Sequence, residues 1–250
     1  MNVHSARSSR AHPAFSSHLR YPLHEMASAL TDLLLSVLPR EGATVVDLGC
    51  GDEPYAQLVR DAGATYIPCD LEGTAIRIVP GEPVDLPDGK ADVVLSSQVL
   101  EHVEDVGWYL GECHRLVRPG GALILSTHGT WLYHPHPTDL RRWTRDGLVL
   151  DLTEAEFSVE EVRSVLGPLG WTTLFRSLGY RDALRRVPVA GRALACLTVV
   201  VMNARIALEE RITPPSIRDE NACVYVCLAR PIGGTSIPNN EAVLHHGSTG

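Results

Sequence analysis

The run Val45-Val46-Asp47-Leu48-Gly49-Cys50-Gly51 constrains this chain more than any other, because a β-branched strand breaks there into a tight glycine turn. A second apolar run, Tyr66 to Cys69, ends on Asp70. That places a carboxylate about 20 residues beyond the turn, the offset at which an acid meets ribose hydroxyls in a strand–turn–helix nucleoside site. A carboxylate accepts both hydroxyl hydrogens at once, and Gly49 and Gly51 let backbone approach the ligand without a Cβ in the way.

The charge around the turn selects the nucleoside. In Gly49-Cys50-Gly51-Asp52-Glu53-Pro54 no third glycine leaves bare backbone for a pyrophosphate, and Asp47, Asp52 and Glu53 repel one. A ligand with a cationic sulfonium and an amino group is attracted instead. The turn therefore points to S-adenosylmethionine and away from NAD, with Asp47, Gly49, Cys50, Gly51, Asp70 and Leu71 as its expected contacts.

At 250 residues the chain suits one large α/β domain, expected over 21–232, with mobile ends at 1–20 and 233–250. A net charge of −8 with no basic run argues against nucleic acid and for a small-molecule acceptor. Six scattered cysteines with no CxxC pair suggest buried free thiols and a cytoplasmic setting. Met1 to Arg7 has no apolar run behind it, unlike a secretory leader. The run Ala193 to Met202 is closed by Asn203 and Arg205, short of the roughly 20 residues that span a bilayer. No membrane span is expected; a buried helix or a contact in a homodimer is.

Helical spacing covers Leu23 to Leu38 and ends at Pro39. Strands are then expected at Thr44–Leu48, Tyr66–Cys69, Ala91–Ser96 and Ala122–Thr127. Helices fall at Tyr55–Ala62 and Val106–Leu116, with a short turn at Gly73–Ile76, and Arg118-Pro119-Gly120-Gly121 leads into the next strand. Such alternation implies right-handed crossovers and a parallel sheet. A helix at Thr144–Thr153, a strand at Phe157–Val165, two helices over 170–210 and a last strand at Ala222–Ala229 complete the pattern.

Four segments in this order resemble the class I S-adenosylmethionine-dependent methyltransferases: Val45 to Gly51, Tyr66 to Leu71, Asp92 to Val103, and Leu116 to Leu125. The resemblance spans roughly residues 40 to 165. It implies a Rossmann-like, seven-stranded, mostly parallel sheet with helices on both faces and an antiparallel last strand. It also implies that Asp85-Leu86-Pro87 edges the adenine, that Ser97 and Gln98 line the cofactor pocket, and that the 170–210 insertion is a lid or dimer face. The family's loop usually carries a third glycine where this chain has Glu53.

The segment His128 to Trp143 is the expected acceptor site. Pro135 and Pro137 stiffen it, and a histidine can act as base near neutral pH. His128, His134 and His136 are the catalytic candidates, and Tyr133, Asp139, Arg142 and Trp143 the acceptor contacts. Two other readings stand beside this one. His134, His136 and Asp139 could hold a divalent metal, although no third carboxylate is spaced for it and none is expected. Alternatively Asp139 braces the loop through Arg141 or Arg142, Trp143 anchors the core, and His102 merely caps or packs. The expected reaction is methyl transfer to a hydroxyl of a small molecule, an amine or carboxylate being second. The alternative is a related protein that keeps the cofactor and catalyses another reaction, such as a cyclisation.

Overall fold

Short β-branched runs with alternating side chains build a sheet with two dry faces. The computed structural model of the chain describes residues 17–38, 42–135 and 137–233. Its strands are β1 (Thr44–Leu48), β2 (Thr65–Asp70), β3 (Ile76–Arg77), β4 (Ala91–Ser97), β5 (Val117–His128), β6 (Phe157–Val165) and β7 (Val224–Pro231). They form one seven-stranded sheet in the order β3-β2-β1-β4-β5-β7-β6. β3 through β5 pair in parallel, whereas β7 runs antiparallel to both β5 and β6. The Rossmann-like, mostly parallel fold expected from the sequence is the fold observed.

The helices are α1 (Arg20–Val37), α2 (Ala56–Asp61), α3 (Val106–Leu116), α4 (Arg145–Glu154), α5 (Pro168–Leu184), α6 (Gly191–Ile212) and α7 (Pro215–Glu220). Val45, Val93, Ile124 and Val226 point to one face of the sheet, against Leu30, Leu33 and Leu34 of α1, Leu174 of α5 and Ile206 of α6. Their neighbours Val46, Val94, Leu125 and Cys227 point to the other, against Leu110 and Leu116 of α3 and Leu148 and Leu152 of α4. Each leucine buried this completely stabilises the fold by about 1.5 to 3 kcal/mol relative to exposure. Asp105 and Thr144 fix two helix starts by accepting from Trp108 N at 2.9 Å and Gly147 N at 3.1 Å.

Several details differ from the sequence expectation. Gly73–Ile76 is not an isolated turn, since Ile76 and Arg77 add a two-residue strand beside Cys69 and Asp70. Arg118-Pro119-Gly120-Gly121 does not precede its strand but lies within β5 as an irregularity, with Gly120 at φ +77° and the register jumping between Ala91 and Val93. Arg20 already belongs to α1, and α7 was not foreseen. Asn203 and Arg205 do not close the apolar run: α6 continues through them to 22 residues, by length and composition enough to cross a membrane. One side of it is nevertheless built into the domain, with Ala195, Val199 and Ile206 buried. All six cysteines are free, and only Cys196 is exposed.

The sheet order also locates the binding crevice. From β1 the chain proceeds outward to β2 and β3, then returns to place β4 on the other side of β1. Ligands in such sheets bind beyond the carboxyl ends of the strands at this reversal, here the segments after Leu48 and Ser97.

Candidate active site

The glycine turn leaves β1 with both its first amides bound, Gly49 N and Cys50 N donating to Cys69 O at 2.8 and 3.1 Å. Gly49 has φ +79°, and a Cβ there would come within 2.5 Å of Val99 Cγ2. The glycine is thus required by its own backbone and by Val99. Glu53, where the family usually has glycine, adopts φ +53° and keeps the left-handed conformation without the residue that favours it.

Asp70 lies beneath this turn. Its Oδ2 accepts from Gly51 N at 2.7 Å and its Oδ1 from Leu71 N at 2.7 Å, which fixes the carboxylate and leaves each oxygen further acceptor capacity. Asp47 is 1% exposed; Tyr66 donates its hydroxyl to Oδ2 at 2.6 Å, while Oδ1 has no hydrogen-bond partner. Burial pushes the Asp47 carboxyl up to about 7. Burial and the neighbouring carboxylates likewise push the Cys50 thiol far up, so it is a neutral wall of the turn. An unpartnered buried carboxylate oxygen beside Asp70 fits a cationic nucleoside ligand, and the residues present suit S-adenosylmethionine.

The remaining cofactor candidates lie at the end of β4 and in the segment that precedes it. Gln98 follows β4 at φ +58°, its amide N donating to Ser126 O at 2.9 Å and its Nε2 to Ser126 Oγ at 3.1 Å. Ser97 pairs with Ser126 in the sheet. Asp85 is exposed, whereas Leu86 is partly buried and its carbonyl accepts from Arg115 Nη1 at 2.8 Å, which pins the segment to α3. Tyr109 supports the crevice floor by donating to Leu48 O at 3.1 Å while accepting from Ser96 Oγ at 2.8 Å.

Beyond β5 a histidine cluster forms next to the crevice. His128 stacks on Trp131, with centroids 4.8 Å apart and planes at 5°, and meets the His134 ring edge-on at 4.8 Å. Burial, helped by His134 and Arg142, holds His128 down at about 2, so it is neutral at physiological pH. His134 is more accessible. Its Nδ1 faces two acceptors, Leu132 O at 3.3 Å and Asp139 Oδ2 at 3.4 Å. The proton of the neutral ring therefore resides on Nδ1, and Nε2 carries the lone pair. Burial lowers the His134 pKa, with Asp139 opposing the shift.

Asp139, Arg142 and Trp143 are placed as braces. Arg142 grips Asp139 with Nη1 and Nη2 at 2.5 and 2.7 Å, and Nη2 also donates to Leu132 O at 3.0 Å. Asp139 additionally accepts from His134 N at 2.9 Å, and Arg142 holds its carboxyl below the usual range. Trp143 is 7% exposed in the core beside α4, with Nε1 donating to Asp151 Oδ2 at 2.8 Å. Tyr133 is 76% exposed, and His136 lies outside the described residues.

Glu101 is the principal residue the sequence reading missed. It is fully buried between β4 and α3, accepts from Thr127 Oγ1 at 2.9 Å, and has Oε1 3.3 Å from His128 Nε2. Burial raises its carboxyl to about 7. Leu140 N donates to Glu101 O at 2.9 Å, and His102 Nδ1 meets Thr138 O, so the acceptor loop is stitched to this segment. Glu101, His102 and His134 bring ligand atoms within 4.8 Å of one another. This set differs from the His134–His136–Asp139 set considered from sequence, because Asp139 is taken up by Arg142. A separate groove of about 870 Å³, lined by Tyr21, Asp32 and Arg163 among others, lies along β6, four strands from β1.

Residues 21–182, more than half of the chain, match the methyltransferase domain family. A protein of Mycolicibacterium smegmatis named as a probable S-adenosylmethionine-dependent methyltransferase is 32% identical over 151 residues, 53% of this chain and 59% of that protein. The ubiquinone biosynthesis O-methyltransferase of Ralstonia nicotianae is 33% identical over 123 residues, 42% of this chain and 52% of that protein. The chain thus spans little more than half the length of these relatives. Among solved structures, the cyclase SpnF superposes with a TM-score of 0.55 at 18% identity, covering 83% of this chain and 82% of SpnF, a likeness of fold.

Proposed function

We propose that this chain, which belongs to the class I S-adenosylmethionine-dependent methyltransferases, methylates a hydroxyl of a small-molecule acceptor with His134 as its base. The observation that carries this reading is the orientation of His134: Leu132 O and Asp139 Oδ2 both face Nδ1, which leaves Nε2 to receive a proton. S-adenosylmethionine, when bound, supplies the methyl group in an activated, cationic form. Asp70 holds the ribose, Asp47 faces the cation, and the glycine turn keeps side chains clear of both.

His128 and Trp131 act together as a rigid wall. A histidine held near 2 is a poor base, and its stacked ring serves to orient the edge of His134. Asp139 is a positioning residue that favours the Nδ1 tautomer, as Arg142 does by holding Asp139. Alignment of acceptor and methyl group then supplies much of the rate. A small-molecule hydroxyl as acceptor draws further support from the Ralstonia relative, an O-methyltransferase of ubiquinone biosynthesis.

The test is release of S-adenosylhomocysteine with a panel of small hydroxylated acceptors, read by mass spectrometry. His134→Ala should lower turnover by about 10² to 10⁴ and leave cofactor affinity unchanged. Near-normal turnover in that variant removes His134 as base. Acceptor consumption without release of S-adenosylhomocysteine indicates a cyclisation or related reaction instead.

A further inference from the structure

The helical hairpin α5–α6 presents an apolar surface that the domain leaves uncovered. On α6, Leu194, Leu197, Val201, Leu208 and Ile212 are 43 to 63% exposed. Their spacing of three, four, seven and four residues puts them on one stripe, opposite the side that buries Ala195, Val199 and Ile206. The stripe runs about 27 Å along the helix. At the hairpin tip, Val187 is 45% exposed and Val189 wholly so, the latter at φ +63°, a conformation that valine rarely adopts.

Charge identifies what this surface meets. Pro168–Ile212 carries seven arginines against three acids, in a chain whose net charge is −8. Arg185, Arg186 and Arg192 collar the apolar tip; all three are exposed, and none forms an ion pair among the described residues. An apolar stripe and tip with a cationic collar match an anionic lipid surface, where acyl chains take the valines and leucines and headgroups take the guanidinium groups. Two copies of the chain pairing through the same face would oppose arginine with arginine. Spanning is excluded by the inner side of α6, which supplies core residues and Glu210, whose Oε1 accepts from Gly167 N at 2.8 Å.

We infer that α6 and the α5–α6 tip form a membrane-docking surface by which the domain lies on, and does not cross, an anionic bilayer. The full chain should sediment with phosphatidylcholine vesicles containing about one-third phosphatidylglycerol and much less with phosphatidylcholine alone, the difference shrinking as salt rises. Leu197→Asp/Val201→Asp should weaken vesicle binding at least about tenfold, as should Val187→Ser/Val189→Ser, which leaves the helix intact. Arg185→Glu/Arg186→Glu should remove the preference for phosphatidylglycerol, each arginine near such a surface being worth about fivefold. Affinity for S-adenosylhomocysteine, unchanged in all three, verifies folding. The inference is overturned if the full chain stays in the supernatant with both vesicle types. It is also overturned if light scattering shows a dimer that Leu197→Asp/Val201→Asp converts to monomer while vesicle binding is absent.

Discussion

Glu101 Oε1 lies 3.3 Å from His128 Nε2, in a place where the two side chains are 0% and 6% exposed. The pair is held in a state in which neither need carry charge: burial raises Glu101 to about 7 and lowers His128 to about 2. The ordinary carboxyl value of Glu101 is 4.5, so the unfolded chain releases this proton at lower pH than the folded one. Its contribution to stability is therefore complete below pH 4.5 and is lost as pH rises through about 7. Thermal unfolding of Glu101→Gln should show a smaller decline across that window than the wild type, and identical slopes would remove Glu101 as the source.

Cofactor affinity should carry the mark of Asp47. If its free Oδ1 faces the cationic end of S-adenosylmethionine, binding strengthens as pH rises through about 7, where Asp47 ionises. Asp47→Asn should flatten that dependence and weaken binding by about 1.5 to 3 kcal/mol, as expected for a hydrogen bond to a charged group. Asp70→Ala should cost about 2 to 4 kcal/mol, because two charge-assisted bonds to ribose disappear. Calorimetric titration across pH reads both effects.

Gly49 and Val99 should be coupled. Gly49→Ala places a methyl group 2.5 Å from Val99 Cγ2 at a backbone φ of +79°, and should destabilise the fold by about 1 to 3 kcal/mol. Val99→Ala in the same chain relieves the contact but leaves the backbone strain. Denaturant titration of both singles and the double should return a coupling of about 0.5 kcal/mol or more, whereas additive effects would mean the contact is absent in solution.

Much of the fold was legible because its signals are local. The strands at Thr44–Leu48 and Phe157–Val165 and the helix at Val106–Leu116 have the bounds their sequence patterns suggest. β3 was not legible, since two residues carry no periodicity, and α7 is a six-residue helix that begins at a proline. At the site, Asp70 and Gly49 follow from spacing and turn chemistry. Glu101 does not, because a Leu-Glu-His sequence in a short helical turn reads like any polar surface. Its burial arises from contacts with residues 26 and more positions away, at Thr127, His128 and Leu140.

Arg142 should prove more important than its distance from the chemistry suggests. It joins Asp139, Leu132 and the Arg141 carbonyl, and so sets the orientation of His134. Arg142→Ala should reduce turnover by about tenfold to a hundredfold with cofactor affinity intact, and Arg142→Lys should restore little, since a point charge cannot grip both carboxylate oxygens. Full activity in Arg142→Ala would mean the loop orders itself by other contacts.

Dialysis against a chelator should leave turnover unchanged if His134 works as a base. Loss of activity restored by a divalent ion would reassign Glu101, His102 and His134 as ligands, and Glu101→Ala, His102→Ala and His134→Ala should then each abolish ion binding.

The strand order β5-β7-β6 has a consequence for how the chain is made. Among the described strands β7 is synthesised after the other six, yet it must seat between two of them, bonding to β5 on one side and β6 on the other. Until it arrives, both present bare edges that recruit strands from other chains, the usual beginning of aggregation. The glycine turn and strands β1 to β4 are complete in the nascent chain before then. Cofactor present during synthesis would accordingly stabilise the half of the sheet that waits for its final strand.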